Sequence, residues 1–128
     1  MKGWKVLLID DEEDFVMTLA ERLQLRGLCT MAATDGESGL KLLPNESFDA
    51  VILDVMMPRL GGLEVLERIK AFNPQIPVII LTGRGRSEDG PRGMQLGAFD
   101  YLIKPFDIDE LTQKINDAIT RKVTEVSP

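Results

Sequence analysis

Hydrophobic positions along this chain fall into two alternating patterns. Residues 6–9, 50–53 and 78–81 are short runs of Val, Ile, Leu and Ala with no polar interruption. A strand with one wet face alternates apolar and polar residues, so unbroken runs predict strands covered on both faces, as in a parallel sheet between helices. Between them the apolar residues recur at helical spacing. Phe15, Val16, Leu19, Ala20 and Leu23 form one stripe that stops before Gly27. Leu63, Leu66 and Ile69 form a second, with Pro74 beyond it, and Ile108, Leu111, Ile115, Ala118 and Ile119 a third. These predict helices over 15–26, 63–72 and 108–123.

Weaker signals fill the gaps. Residues 29–33 and 99–103 read as strands, and Asp35 or Gly36 opens a short helix reaching Leu43 before Pro44. The segment 83–96 must hold another helix, but Gly83, Gly85, Gly90, Pro91 and Gly93 make it a poor one. Each interior Gly costs about 1 kcal/mol relative to Ala, so this helix should start near Pro91, be short and be the softest. Alternating strands and helices imply right-handed crossovers and an α/β fold: a doubly wound, flavodoxin-like parallel sheet of five strands in the order 2-1-3-4-5. Residues 1–123 form the domain, and residues 124–128 read as a tail or truncated linker.

Composition narrows the chemistry. With 128 residues, 44% apolar and 28% charged, the chain suits one globular domain. It has no histidine, which removes His-based acid/base catalysis and the commonest zinc ligand. Its one cysteine, Cys29, excludes an internal disulfide and reads as a small buried hydrophobe. A net charge of −6 disfavours direct contact with nucleic acid or anionic membrane. No apolar stretch approaches the ~20 residues needed to span a bilayer, and the chain reads as cytoplasmic.

In open parallel sheets, ligands bind beyond the carboxyl ends of the strands. There this chain carries Asp10 and Asp11, Asp54, Thr82 and Gly83, and Lys104 and Pro105. Strands lie ~4.8 Å apart, so Asp54 would stand between the acidic pair and Thr82, with Lys104 roughly 10 Å away at the backbone and within reach of its own stem. Carboxylates crowded on one rim take up protons or recruit a cation, and with only oxygen donors that cation should be hard: Mg²⁺, with Mn²⁺ as substitute. A magnesium site with an Asp, a hydroxyl and a lysine points to phosphoryl transfer. Asp54 would be the nucleophile, with Asp11 and Asp54 on the metal. Lys104, and Thr82 with the Gly83 N–H, would take the other phosphoryl oxygens.

These residues sit within longer motifs. Asp10-Asp11, Ile52-Leu53-Asp54-Val55-Met56-Met57-Pro58, Leu63, Thr82-Gly83, Gly97-Ala98 and Tyr101-Leu102-Ile103-Lys104-Pro105-Phe106 together resemble the receiver domain of bacterial two-component response regulators. The likeness runs from Lys5 to about Val123. It implies a signalling module that catalyses its own phosphorylation and slow dephosphorylation. A sensor histidine kinase or histidine phosphotransfer domain would donate to Asp54. Asp11, Asp54 and the Met56 backbone carbonyl would ligate the metal, with Asp10 acting through water, and Lys104-Pro105 would be cis. It further implies a switch, in which Thr82 moves to the phosphoryl group and Tyr101 turns inward. The face of the fourth helix, fifth strand and fifth helix would then change its partner preference or pair with a second copy. The downstream partner is not legible.

Plainer roles compete residue by residue. Asp10 and Asp11 could merely cap the first helix, Lys104 could be a solvated surface lysine, and Tyr101 an edge-strand aromatic. An aspartate-nucleophile phosphatase would carry a second Asp two residues after Asp54, where Met56 stands. A flavodoxin-like carrier would not put Asp10-Asp11-Glu12-Glu13-Asp14 where a phosphate loop belongs. The alternative that stays open is a degenerate receiver acting as a phosphorylation-independent interaction module. Met56 cannot orient an attacking water, and Arg84 could shield the phosphoryl group, so spontaneous dephosphorylation should be slow. Arg84, Arg86 and Arg92 make the segment after the fourth strand locally basic.

Overall fold

The computed structural model describes residues 3–57 and 61–126, with side chains through residue 121. Pro58, which ends the motif around Asp54, lies outside the described residues with Arg59 and Leu60, as do Ser127 and Pro128 of the expected tail. Strands β1 (Lys5–Ile9), β2 (Cys29–Ala33), β3 (Ala50–Asp54), β4 (Val78–Thr82) and β5 (Asp100–Ile103) form one parallel sheet in the order β2-β1-β3-β4-β5. Helices α1 (Glu13–Leu25), α2 (Gly36–Leu42), α3 (Gly62–Phe72), α4 (Asp89–Gln95) and α5 (Ile108–Val126) alternate with them, and a 3-10 turn at Leu43–Asn45 follows α2. This is the doubly wound architecture that the unbroken apolar runs predict.

The sheet divides the core into two layers. Val6 and Leu8 of β1, Ile52, Ile79 and Leu81 face α1 and α5, where Val16, Leu23, Leu111 and Ile115 meet them. The alternate residues Leu7, Ile9, Val51, Leu53 and Ile80 face the other side, against Val65, Leu66 and Ile69 of α3. β3 and β4 are buried along their whole length. Each such Leu, Ile or Val contributes about 1.5–3 kcal/mol by leaving water. That burial fixes the height of the strand ends, and hence of the residues that follow them.

Several expectations change in detail. α4 begins at Asp89, two residues before Pro91, and is seven residues long. Pro91 sits in the first turn, where its missing N–H has no helical partner to lose. α5 runs to Val126, beyond the expected stop at Val123. Cys29 is exposed. It lies on β2, an edge strand whose burial is partial, and an edge strand leaves side chains at the wet margin that an inner strand would bury. Among the described residues, no helix is long and apolar enough to cross a membrane.

Candidate functional site

The carboxyl ends of β1, β3, β4 and β5 open onto one rim. Asp54 is the last residue of β3, in register with Leu81, and the Val55 N–H donates to the Leu81 carbonyl at 3.0 Å. The Lys104 N–H donates to the Thr82 carbonyl at 2.8 Å, which ties the end of β5 to the end of β4. α3 starts close behind Asp54 because Gly62 has no β-carbon; one there would overlap the Val55 backbone and the Asp54 carbonyl.

Asp10, Asp54 and Thr82 are 2%, 2% and 1% exposed, unusual for polar groups at strand ends and sensible only if they are partnered. The Lys104 amine is that partner for the two carboxylates. Its Nζ lies 2.8 Å from Asp10 Oδ2, 3.2 Å from Glu12 Oε1 and 3.5 Å from Asp54 Oδ2. The remaining oxygens are held locally: Asp10 Oδ1 accepts from the Glu12 N–H and Asp54 Oδ1 from the Met56 N–H, each at 2.9 Å.

The carboxylates still outnumber the amine. Burial pushes the Asp54 carboxyl up to about 6, and the Asp10 charge pushes the same way, against the Met56 N–H and Lys104, which oppose it. For Lys104, burial lowers the amine's proton affinity. The Asp10 hydrogen bond and the Asp54 charge outweigh that and hold it above its ordinary value.

Oxygen atoms of Asp10, Glu12 and Asp54 converge within 4.8 Å of one another, an all-carboxylate donor set that fits a hard divalent ion. Asp11, assigned to the metal from sequence, is exposed and is not in this converging set; Glu12 is. Met56 enters the site through its N–H and its thioether, which lies over Gly83 so closely that a β-carbon there would overlap the sulfur. Tyr101, half-buried on β5, packs on α4 rather than on the rim acids. The Lys104-Pro105 peptide is cis. One contact was not legible from sequence: the Lys104 amine also lies 4.1 Å from the centre of the Phe15 ring.

Residues 6–116 match the response regulator receiver domain family, which covers all of the sheet but Lys5 and every rim residue just described. The chain belongs to that family. This receiver is 42% identical over 117 residues to the transcriptional regulatory protein CpxR of Escherichia coli, and 40% identical over 119 residues to RprY of Bacteroides fragilis. Those alignments take in 91% and 93% of the chain but 50% of each relative, so the chain spans about half the length of these curated relatives. A receiver domain crystal structure from Clostridium thermocellum superposes with a TM-score of 0.92 at 37% identity, covering 96% of this chain and 99% of that one. The receiver is thus a signalling module of the two-component type.

Proposed function

We propose that Asp54 of this receiver accepts a phosphoryl group from a phosphohistidine on a sensor kinase or histidine phosphotransfer domain. The observation that carries this reading is the Lys104 amine reaching two buried carboxylates, Asp10 and Asp54, that belong to other strand ends. With its acidity near 6, Asp54 is largely ionised at neutral pH, as a nucleophile must be. Its Oδ1 is occupied by the Met56 N–H, so Oδ2, the oxygen facing Lys104, is the attacking atom. An O–P bond forms on Oδ2 while the P–N bond breaks, and the electron pair returns to the donor imidazole, which takes a proton.

Lys104 neutralises charge on the transferred oxygens, and the Thr82 hydroxyl and Gly83 N–H take another. Met56 must swing off Gly83 to admit them. A Mg²⁺ or Mn²⁺ ion, held by Asp10, Asp11, Asp54 and the Met56 carbonyl, would supply further charge neutralisation when bound. Glu12 is then the counter-charge of Lys104 in the resting state. Movement of Thr82 and Tyr101 passes the event to the surface of α4, β5 and α5, where a partner or second copy reads it.

Incubation with Mg²⁺ and acetyl phosphate or phosphoramidate should add the mass of one phosphoryl group, and Asp54→Asn should abolish the gain. An unchanged mass in the natural chain would sink the proposal and favour a phosphorylation-independent interaction module.

A further inference from the structure

We infer that Phe15 is a positioning residue for the Lys104 amine, its ring face holding the ammonium beside Asp54. The inference rests on Asp54 being the acceptor. Lys104 reaches the rim on a flexible four-carbon stem, so something must choose among the places its amine can go. The carboxylates alone choose poorly. Glu12, one of the three within reach, has a side chain 65% exposed and draws the amine outward, away from Asp54. Phe15 opposes that from within, its ring centre 4.1 Å from Nζ.

The ring is fixed in its turn. Phe106 meets it edge to face, centroids 6.2 Å apart and planes at 87°, and both rings pack against the layer formed by α1 and α5. Phe106 lies two residues after Lys104, so one loop carries both the amine and the brace for the ring that holds it. The face of an aromatic ring carries negative charge and attracts an ammonium most strongly where water is excluded. The Lys104 side chain is 17% exposed, which meets that condition. An aliphatic residue at position 15 would fill the same space and hold nothing.

The test separates charge from packing. Pentafluorophenylalanine at position 15 keeps the ring's shape and reverses the charge on its face. It should slow phosphorylation by phosphoramidate in Mg²⁺ about fivefold with the folded circular dichroism spectrum unchanged, whereas Phe15→Trp should keep the rate. In a Lys104→Met background the pentafluoro substitution should leave the residual rate where it was. A natural rate in the pentafluoro variant overturns the inference. A second measurement needs no phosphorylation: the proton shift of the Lys104 ε-methylene, moved upfield by the ring, should return to an ordinary lysine value in Phe15→Leu. If it does not move, the inference fails. Should the natural chain take up no phosphoryl group, the acceptor reading fails on its own, and the methylene shift alone decides the positioning.

Discussion

The ring of Tyr101 on β5 rests against Gly90 of α4, and a β-carbon at position 90 would overlap the ring edge. Strand and helix are therefore keyed together at one point, on an element poor in intrinsic stability. α4 has seven residues, includes Gly90, Pro91 and Gly93, and starts without a side-chain cap. Gly90→Ala should improve helix propensity by about 1 kcal/mol yet lower stability overall, because overpacking against the ring costs about 1–3 kcal/mol. In a Tyr101→Ala background the same change should become stabilising. Thermal unfolding of the four proteins reads this directly, and additive effects would remove the keying.

Asp54 makes stability depend on pH in a defined direction. Its carboxyl sits at about 6 in the folded chain against 3.8 as an ordinary aspartate, so the folded state holds a proton that the unfolded state releases. Stability from this group is fully present below about pH 4 and is lost as pH rises through 6. Asp54→Asn, which keeps the volume and the Met56 hydrogen bond, should be more stable than the natural chain at pH 7–8. The gain is on the order of 2 kcal/mol, and the gap should close between pH 6 and 4. Denaturant melts across that range without divalent ions measure it; a gap that does not vary with pH would exclude the raised carboxyl.

A divalent ion should relieve the same repulsion. Mg²⁺ is expected to raise the unfolding midpoint at pH 7.5 in the natural chain, and to do so far less in Asp54→Asn or Asp10→Asn. Asp11→Asn should weaken the Mg²⁺ effect more than Glu12→Gln if the ion takes the ligand set proposed above. The reverse ranking would assign the ligand to Glu12.

Lys104→Met should divide two properties that usually fall together. It leaves Asp10 and Asp54 buried without their cation, so the ion-free protein should lose about 3 kcal/mol or more at neutral pH. Mg²⁺ should bind it more tightly, since no ammonium competes for the same carboxylates. Calorimetric titration beside thermal melts would show both, and weaker Mg²⁺ binding would contradict the shared site.

Met56 is expected to set how long the proposed phosphoryl group lasts. Its thioether covers Gly83 and offers an attacking water no strong hydrogen bond. Met56→Asn should shorten the phosphorylated lifetime at least several-fold, followed by mass spectrometry after the donor is removed. A phosphorylated natural chain that decays within seconds in Mg²⁺ would refute the slow hydrolysis expected of this side chain.

The sheet was legible because β1, β3 and β4 are buried on both faces, and that condition writes itself as unbroken apolar runs. The rim acids were legible because strand ends place them together whatever the loops do. Side-chain choices within the rim were not. Asp11 and Glu12 are both short-range neighbours of Asp10, and which one turns inward depends on the loop's torsions and on Lys104, 92 residues beyond Glu12. Phe15 read only as one more apolar position on the α1 stripe. Its ring, on α1, meets an amine carried just after β5, a pairing with no local signal. Cys29 was misplaced for the opposite reason: its apolar neighbours say nothing about its lying on a sheet edge.

The start of α1 has a last consequence. Glu12 occupies the capping position but makes no side-chain bond to the helix, while the nearby Asp10 carboxylate serves the Glu12 N–H and Lys104 instead. A conventional cap would add about 1 kcal/mol and would also anchor this loop to the helix barrel. Without that bond, an incoming charge that draws these acidic side chains toward it costs α1 no capping contact.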